Sequence, residues 1–208
     1  MEQTEQQQLD RLLAGDETAF EELVARYQDG LRRLARVYVR TDAQAQDVVQ
    51  ETWLAVLRGL PRFERRSSLR TWMFQILTNR ARTHAVREGR LVPFADSHDG
   101  DGEPDSPTDW FDENGRWREA VAAWPETDPE RLVLNDEIRQ ALEAAIQALP
   151  ERQRLVIVLR DIEELTASEA CNVLGISETN QRVLLHRGRS RLRAALASLT
   201  DREQPITE

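Results

Sequence analysis

Between Phe63 and Arg82 the chain reads FERRSSLRTWMFQILTNRAR, interleaving aromatic and arginine side chains at helical spacing. Trp72, Gln75, Asn79 and Arg82 or Thr83 share one edge of a helix. Amide and guanidinium groups on such an edge can bond the exposed edges of an unpaired base. Phe63 and Trp72 offer rings for stacking, and Arg65 or Arg66 a clamp on the backbone. Stacking one base is worth about 1–3 kcal/mol, comparable with the few kcal/mol needed to extrude it from a duplex. The set therefore suits a separated strand, with core packing as the competing use of Trp72.

A second, different device lies downstream. Thr166-Ala167-Ser168-Glu169 has capping-box spacing, its helix runs through Ala170 and Val173, and Leu174-Gly175-Ile176 makes a tight turn before Ser177 caps another helix. This is the signature of a helix-turn-helix. On the second helix Arg182, His186, Arg189 and Arg193 form one polar stripe, while Leu185, Leu192, Leu196 and Leu199 share another face for the core. In major-groove docking the first turns meet base edges, nominating Asn180, Gln181, Arg182 and Arg187. Arg189, Arg191 and Arg193 lie further along, where phosphates are met. A third cluster, Asp47, Gln50, Glu51 and Leu54, makes a polar helix edge with one apolar member, suited to a protein partner or simply to solvent.

The elements that position these groups read as helices throughout. Phe20, Leu23, Val24, Tyr27, Leu31, Leu34, Ala35 and Tyr38 follow a 3.6-residue period entered through Gly15-Asp16. A short helix holding Leu9, Leu12 and Leu13 precedes it. Thr41 to Gln44 opens a helix with Ala45, Val48, Val49, Thr52, Val56 and Leu60 inward, closed by Pro61. Ser67 or Ser68 caps the next, with Leu69, Trp72, Met73, Ile76 and Leu77 inward. Periodicity returns at Leu132, Leu134, Ile138, Leu142 and Ile146, and again at Leu155, Val156 and Leu159.

The expected fold class is all-α: two small helical domains joined by a flexible acidic linker. The expected boundaries are 1–92, a linker over 93–130, a second domain over 131–200 and a tail over 201–208. Trp110, Trp117 and Trp124 recur every seven residues in the linker and suggest a short docking helix.

A net charge of −9 over 208 residues argues at first against a polyanionic partner. Its distribution reverses that argument: residues 1–92 carry +2, 93–137 carry −11 and 138–208 carry 0. The flanks are free to present basic faces, and all 28 basic residues are Arg. No apolar run approaches bilayer length, and the N-terminus lacks a signal-peptide pattern, so a cytoplasmic location is expected. Cys171 stands alone, and His84, His98 and His186 are scattered, so neither a metal site nor a cofactor is expected.

The ordered combination DVVQETWLAVLRGLPRF, SSLRTWMFQILTNRAR, LPERQRLVIVLRDIEELTASEACNVLGIS and HRGRSRLRAAL closely resembles the sigma-70 superfamily. Within it, the resemblance is to the small extracytoplasmic-function (ECF) sigma factors, which keep only conserved regions two and four. It covers residues 10–90 and 132–198. It implies an RNA polymerase sigma factor that confers promoter recognition and DNA melting, with core RNA polymerase, promoter DNA and an anti-sigma factor as partners.

By the same resemblance Asp47, Gln50, Glu51 and Leu54 would meet the polymerase. Phe63, Arg65, Arg66, Ser67, Arg70, Trp72, Gln75, Asn79 and Arg82 would take the melted minus-10 element. Asn180, Gln181, Arg182, His186, Arg187, Arg189 and Arg191 would take the duplex minus-35 element. The chain departs from the family pattern at Gln181 and at Val183-Leu184, which leaves the minus-35 preference open and makes Leu184 a candidate packing residue. No fused sensory extension is expected after the last helix.

A stand-alone helix-turn-helix regulator would explain residues 166–193 but leave the aromatic-arginine helix without purpose. An enzyme is not expected, since the sequence holds no Gly-rich phosphate loop, metal-ligand spacing or paired nucleophile and base. Cys171 is expected to pack as a small hydrophobe.

Overall fold

The computed structural model describes residues 2–89 and 136–200, and all regular structure among them is helical. The all-α expectation therefore holds for the described residues. The tryptophan-spaced linker lies outside them.

Helix α1 (Glu2–Leu13) buries Leu9 and Leu12, while Leu13, expected beside them, is 46% exposed. The chain turns immediately after it, with the Gly15 N–H donating to the Leu12 carbonyl, so Leu13 has no neighbouring turn to cover it. Asp16 then caps α2 (Glu17–Tyr38) by accepting from the Ala19 N–H at 3.1 Å. Thr41 and Gln44 form the capping box of α3 (Asp42–Gly59), each side chain taking one of the unpaired N–H groups of the helix start. Pro61 lies in the 3-10 turn Leu60–Arg62 that ends this run.

Of the two candidate serines, Ser68 caps α4 (Leu69–Arg87), accepting from the Thr71 N–H at 3.2 Å. Leu69, Thr71, Met73, Phe74, Leu77, Thr78, Ala81 and Ala85 of α4 are buried. That set spreads over more than one face because α4 packs against α2, against α3 and against a later helix. Trp72 and Ile76, expected inward, are only half-buried.

The later described elements are α5 (Asp136–Ala148), α6 (Glu151–Ile157), a π-helical turn (Val158–Ile162), α7 (Ala167–Leu174) and α8 (Glu178–Thr200). In the π turn the Glu163 N–H reaches back five residues to the Val158 carbonyl at 2.8 Å, and Leu165 reaches the Leu159 carbonyl at 2.9 Å. The α7–α8 connection is built as its sequence requires. Thr166 and Glu169 complete a second capping box, and Gly175 ends α7 at φ 71°. That left-handed conformation is costly for any residue with a Cβ. Ser177 accepts from the Asn180 N–H at 3.2 Å to start α8.

The described residues fall into two compact units. Residues 2–89 together with 158–181 form the first, with α4 at its centre and α7 packed on it. Residues 136–157 and 182–200 form the second, whose core of Leu149, Ile157 and Leu192 is flanked by Leu142, Ala145, Ile146 and Leu185.

Leu77 is fully enclosed where α4 meets its neighbours. Leu77→Ala is expected to cost about 2–5 kcal/mol by lost burial and the cavity left behind. A lower urea midpoint for the first unit, followed by circular dichroism, would register it.

Candidate nucleic-acid interface

Enclosure of α4 by its neighbours leaves a narrow exposed strip, Gln75, Asn79 and Thr83, each one helical turn from the next. Of the expected edge, Gln75 and Asn79 therefore lie open to solvent. At its N-terminal end the strip meets the loop from Phe63 to Ser68. The Phe63 and Trp72 rings stack there with centroids 4.9 Å apart and planes tilted by 39°. Trp72 reaches this position across Gly59, where a Cβ would come within 2.9 Å of the ring. The half-buried indole is thus both wall and packing group.

The loop separates two clefts. One, of about 230 Å³, is lined by Arg62, Phe63, Glu64, Arg66, Ser67, Trp72 and Gln75. The other, of about 280 Å³, lies between the loop and α1 and is lined by Gln6, Leu9, Phe63, Arg65, Ser67, Ser68 and Leu69. The first has the components for holding a flat polar ring: two aromatic groups, an amide and two guanidinium groups at the rim.

Four of the nominated residues are engaged within the chain. Arg65, expected at a DNA backbone, turns instead toward α1, where it pairs with Gln6 and Asp10. Arg66 is largely exposed and pairs with Glu64 at 2.7 Å. Arg70 lies 5.9 Å from the centre of the Phe74 ring and 4.0 Å from Glu163. Arg82 donates at 2.7 Å to the carbonyl of Leu174, one of the unpaired acceptors at the end of α7. Ser67 is half-buried in the loop and makes only a long contact to the Ser68 carbonyl.

The acidic partners of α4 and α2 come from residues that sequence spacing does not single out for that contact. Glu163 is buried and accepts from Arg33 at 2.8 Å. Glu169 accepts from the Ser68 hydroxyl at 3.0 Å and the Thr71 hydroxyl at 2.9 Å, besides closing its own capping box. Local spacing announces the capping role of Glu169. Nothing local announces contacts across about a hundred residues of sequence.

Desolvation pushes the Glu169 carboxyl up, but the hydrogen bonds from the Thr166 backbone, Thr71, the Thr166 hydroxyl and Ser68 together outweigh it and leave its pKa lowered.

On α3, Asp47, Gln50 and Leu54 are exposed, Leu54 by 53%. Glu51 is drawn toward α4, pairing with Arg80 at 3.2 Å and His84 at 3.3 Å. On α8, Arg182, Arg189 and Arg191 are exposed, and Asn180, His186 and Arg187 are half-buried. Arg191 donates to the buried Gln153 at 3.0 Å. Gln181 departs from its nomination: it is 1% exposed, and a side chain so enclosed offers nothing to a base edge. Leu184 is buried, as a packing residue should be.

Comparison with known proteins defines the class. Residues 23–91 match Sigma-70 region 2, and residues 139–192 match Sigma-70, region 4. The RNA polymerase sigma-H factor of Pseudomonas aeruginosa is 31% identical over 95% of this chain and 96% of its own. The ECF RNA polymerase sigma-E factor of Escherichia coli K12 is 32% identical over 82% of this chain and 83% of its own. The chain therefore belongs to the sigma-70 family and is an RNA polymerase sigma factor of the extracytoplasmic-function type.

Two solved structures share the fold. One is the sigma factor RpoE of Bartonella quintana in complex with the anti-sigma factor NepR, with a TM-score of 0.58 at 22% identity over 86% of this chain and 96% of that one. The other is CnrH in complex with the cytosolic domain of CnrY, with a TM-score of 0.55 at 23% identity over 95% and 97%.

A lowered pKa in the folded state makes Glu169 stabilising above its unfolded value and progressively less so as pH falls through its folded one. The stability lost in Glu169→Gln is expected to be full at pH 7 and to shrink below about pH 4.5, the ordinary value of the group. Paired urea titrations of the two proteins across that range would check the sign.

Proposed function

We propose that this sigma factor divides promoter recognition between its two nucleic-acid devices. The Phe63–Ser68 loop and the exposed strip of α4 capture a strand of the melted minus-10 element, and the start of α8 reads the duplex minus-35 element. The observation that carries this reading is that Gln75 lines a cleft walled by Phe63 and Trp72, with Asn79 exposed one helical turn further along the same strip. Amides supply the hydrogen bonds and rings supply the stacking, the combination a captured base requires. A stand-alone helix-turn-helix regulator has no use for that cleft.

Asp47, Gln50 and Leu54 on the open face of α3 are assigned to core RNA polymerase, with Glu51 holding that face to α4. Arg182 and Arg187 are assigned to base edges, with Arg189 and Arg191 to phosphates. The minus-35 domain is taken to begin near residue 131, after an acidic tether. The chain does no covalent chemistry: it lends the polymerase an address and helps hold the duplex open.

An anti-sigma factor is the expected regulatory partner, in line with the RpoE–NepR complex of Bartonella quintana. A cytoplasmic site of action accords with the work assigned to the chain, and no helix among the described residues is long and apolar enough to cross a membrane.

Core-dependent transcription in vitro tests the whole reading; material that fails to direct core polymerase to any promoter overturns it. Asn79→Ala and Trp72→Ala are expected to impair opening more than initial binding, seen as lost permanganate reactivity of minus-10 thymines. Arg182→Ala or Arg187→Ala is expected to relax minus-35 preference by about 1–3 kcal/mol per lost bidentate contact, measurable by competition between promoter variants.

A further inference from the structure

We infer that Gln6 and Asp10 of α1 are positioning residues for the strand-capture cleft, acting on it through Arg65. The inference rests on the assignment of that cleft to the separated strand and names what fixes its shape.

Arg65 holds φ at 59°, a left-handed conformation that non-glycine residues adopt only where the surroundings impose it. It is the only residue of the Phe63–Ser68 loop in this region. The conformation turns its side chain away from the strand-capture cleft and across the second cleft to α1. There the guanidinium donates to the side-chain amide oxygen of Gln6 and lies 3.4 Å from an Asp10 carboxylate oxygen. Gln6 and Asp10 lie one turn apart, and the Gln6 amide donates to Asp10 at 2.9 Å, so the two acceptors are fixed as a pair.

The loop has little else beneath it, since the space between Phe63, Ser67 and Ser68 on one side and Gln6 and Leu9 on the other is the open cleft of about 280 Å³. A tether at Arg65 therefore decides where the loop sits. Loop residues on either side of it matter for capture: Phe63, two positions before, stacks on Trp72, and Arg66, directly after, lines the other cleft. Arg65, drawn from a basic loop as a phosphate ligand, is better accounted for as the hinge pin between α1 and that wall.

A single exposed ion pair contributes little to global stability, so the effect is expected in opening, not in folding. Full-length variants are combined with core polymerase and placed on a promoter fragment that the wild-type holoenzyme selects from genomic DNA. Permanganate reactivity of the minus-10 thymines is the readout. Asp10→Ala, alone or with Gln6→Ala, is expected to lower that reactivity several-fold while core affinity and thermal unfolding stay as in the wild type. Arg65→Gly keeps the backbone conformation but removes the tether, and combining it with Asp10→Ala should lower opening no further than the worse single variant. The exchanged pair Asp10→Arg with Arg65→Asp should recover part of the loss.

Wild-type opening by the Asp10→Ala variant overturns the proposal. So does tighter and more salt-dependent DNA binding by that variant, which would mark the released Arg65 as a phosphate contact. Asn79→Ala is run alongside: loss of opening there with none in Asp10→Ala defeats the tether alone, whereas normal opening in Asn79→Ala defeats the strand-capture assignment itself.

Discussion

Helix α4 is hemmed in by α2, α3 and α7, and this enclosure governs what the first unit can do. Buried residues occur along its whole length, from Leu69 to Ala85, so only a strip one residue wide per turn remains for anything outside. The amides at Gln75 and Asn79 occupy that strip. A helix with one free surface could rock against its support; one held on several sides presents its polar groups at a fixed height and angle. Fixed geometry is worth more to recognition than additional contacts, because ordering the groups costs nothing further when a ligand arrives.

The same enclosure shapes the chemistry at the edges of α4. Arginines that would be free on an isolated helix find local partners: Arg80 meets Glu51, Arg82 meets the end of α7, and Arg70 meets Phe74 and Glu163. Hydroxyl groups at its start, Ser68 and Thr71, are taken by Glu169. The polar surface that survives along the Gln75–Asn79 strip is therefore amide-rich, with exposed arginine in the loop and at the end of the helix. Such a surface favours base edges over phosphates at the strip and phosphates at the rim.

Much of this was legible because the determinants are local. Both capping boxes, at Thr41 and Thr166, could be read from four-residue patterns and are formed as written. The inner faces of α2 and α3 emerged from periodicity, since each buries one stripe. Helix α4 was harder: a helix covered on several sides loses its simple period, which is why Trp72 and Ile76 were expected deeper than they lie. The placement of Gln181, the turned-in Arg65 and the buried Glu163 depended on partners remote in sequence or on a single backbone angle. No spacing rule encodes these. For Gln181 the only hint was its departure from the residue type usual at that position in the family.

The π-helical turn from Val158 to Ile162 carries one more residue than an α-helix would need to cover the same rise. The chain leaves the helix directly after it: Glu164 holds φ at 52°, and Glu163 and Leu165 on either side of it are both buried. The π turn is the last regular step before the irregular segment 163–165 that leads to the capping box at Thr166. Removing a single amino acid there would restore regular helical winding and swing the acidic group by roughly one residue's angular step, about 100°. Tolerance to insertion and deletion should accordingly be lowest at a place that looks, by composition, like an unremarkable stretch of helix.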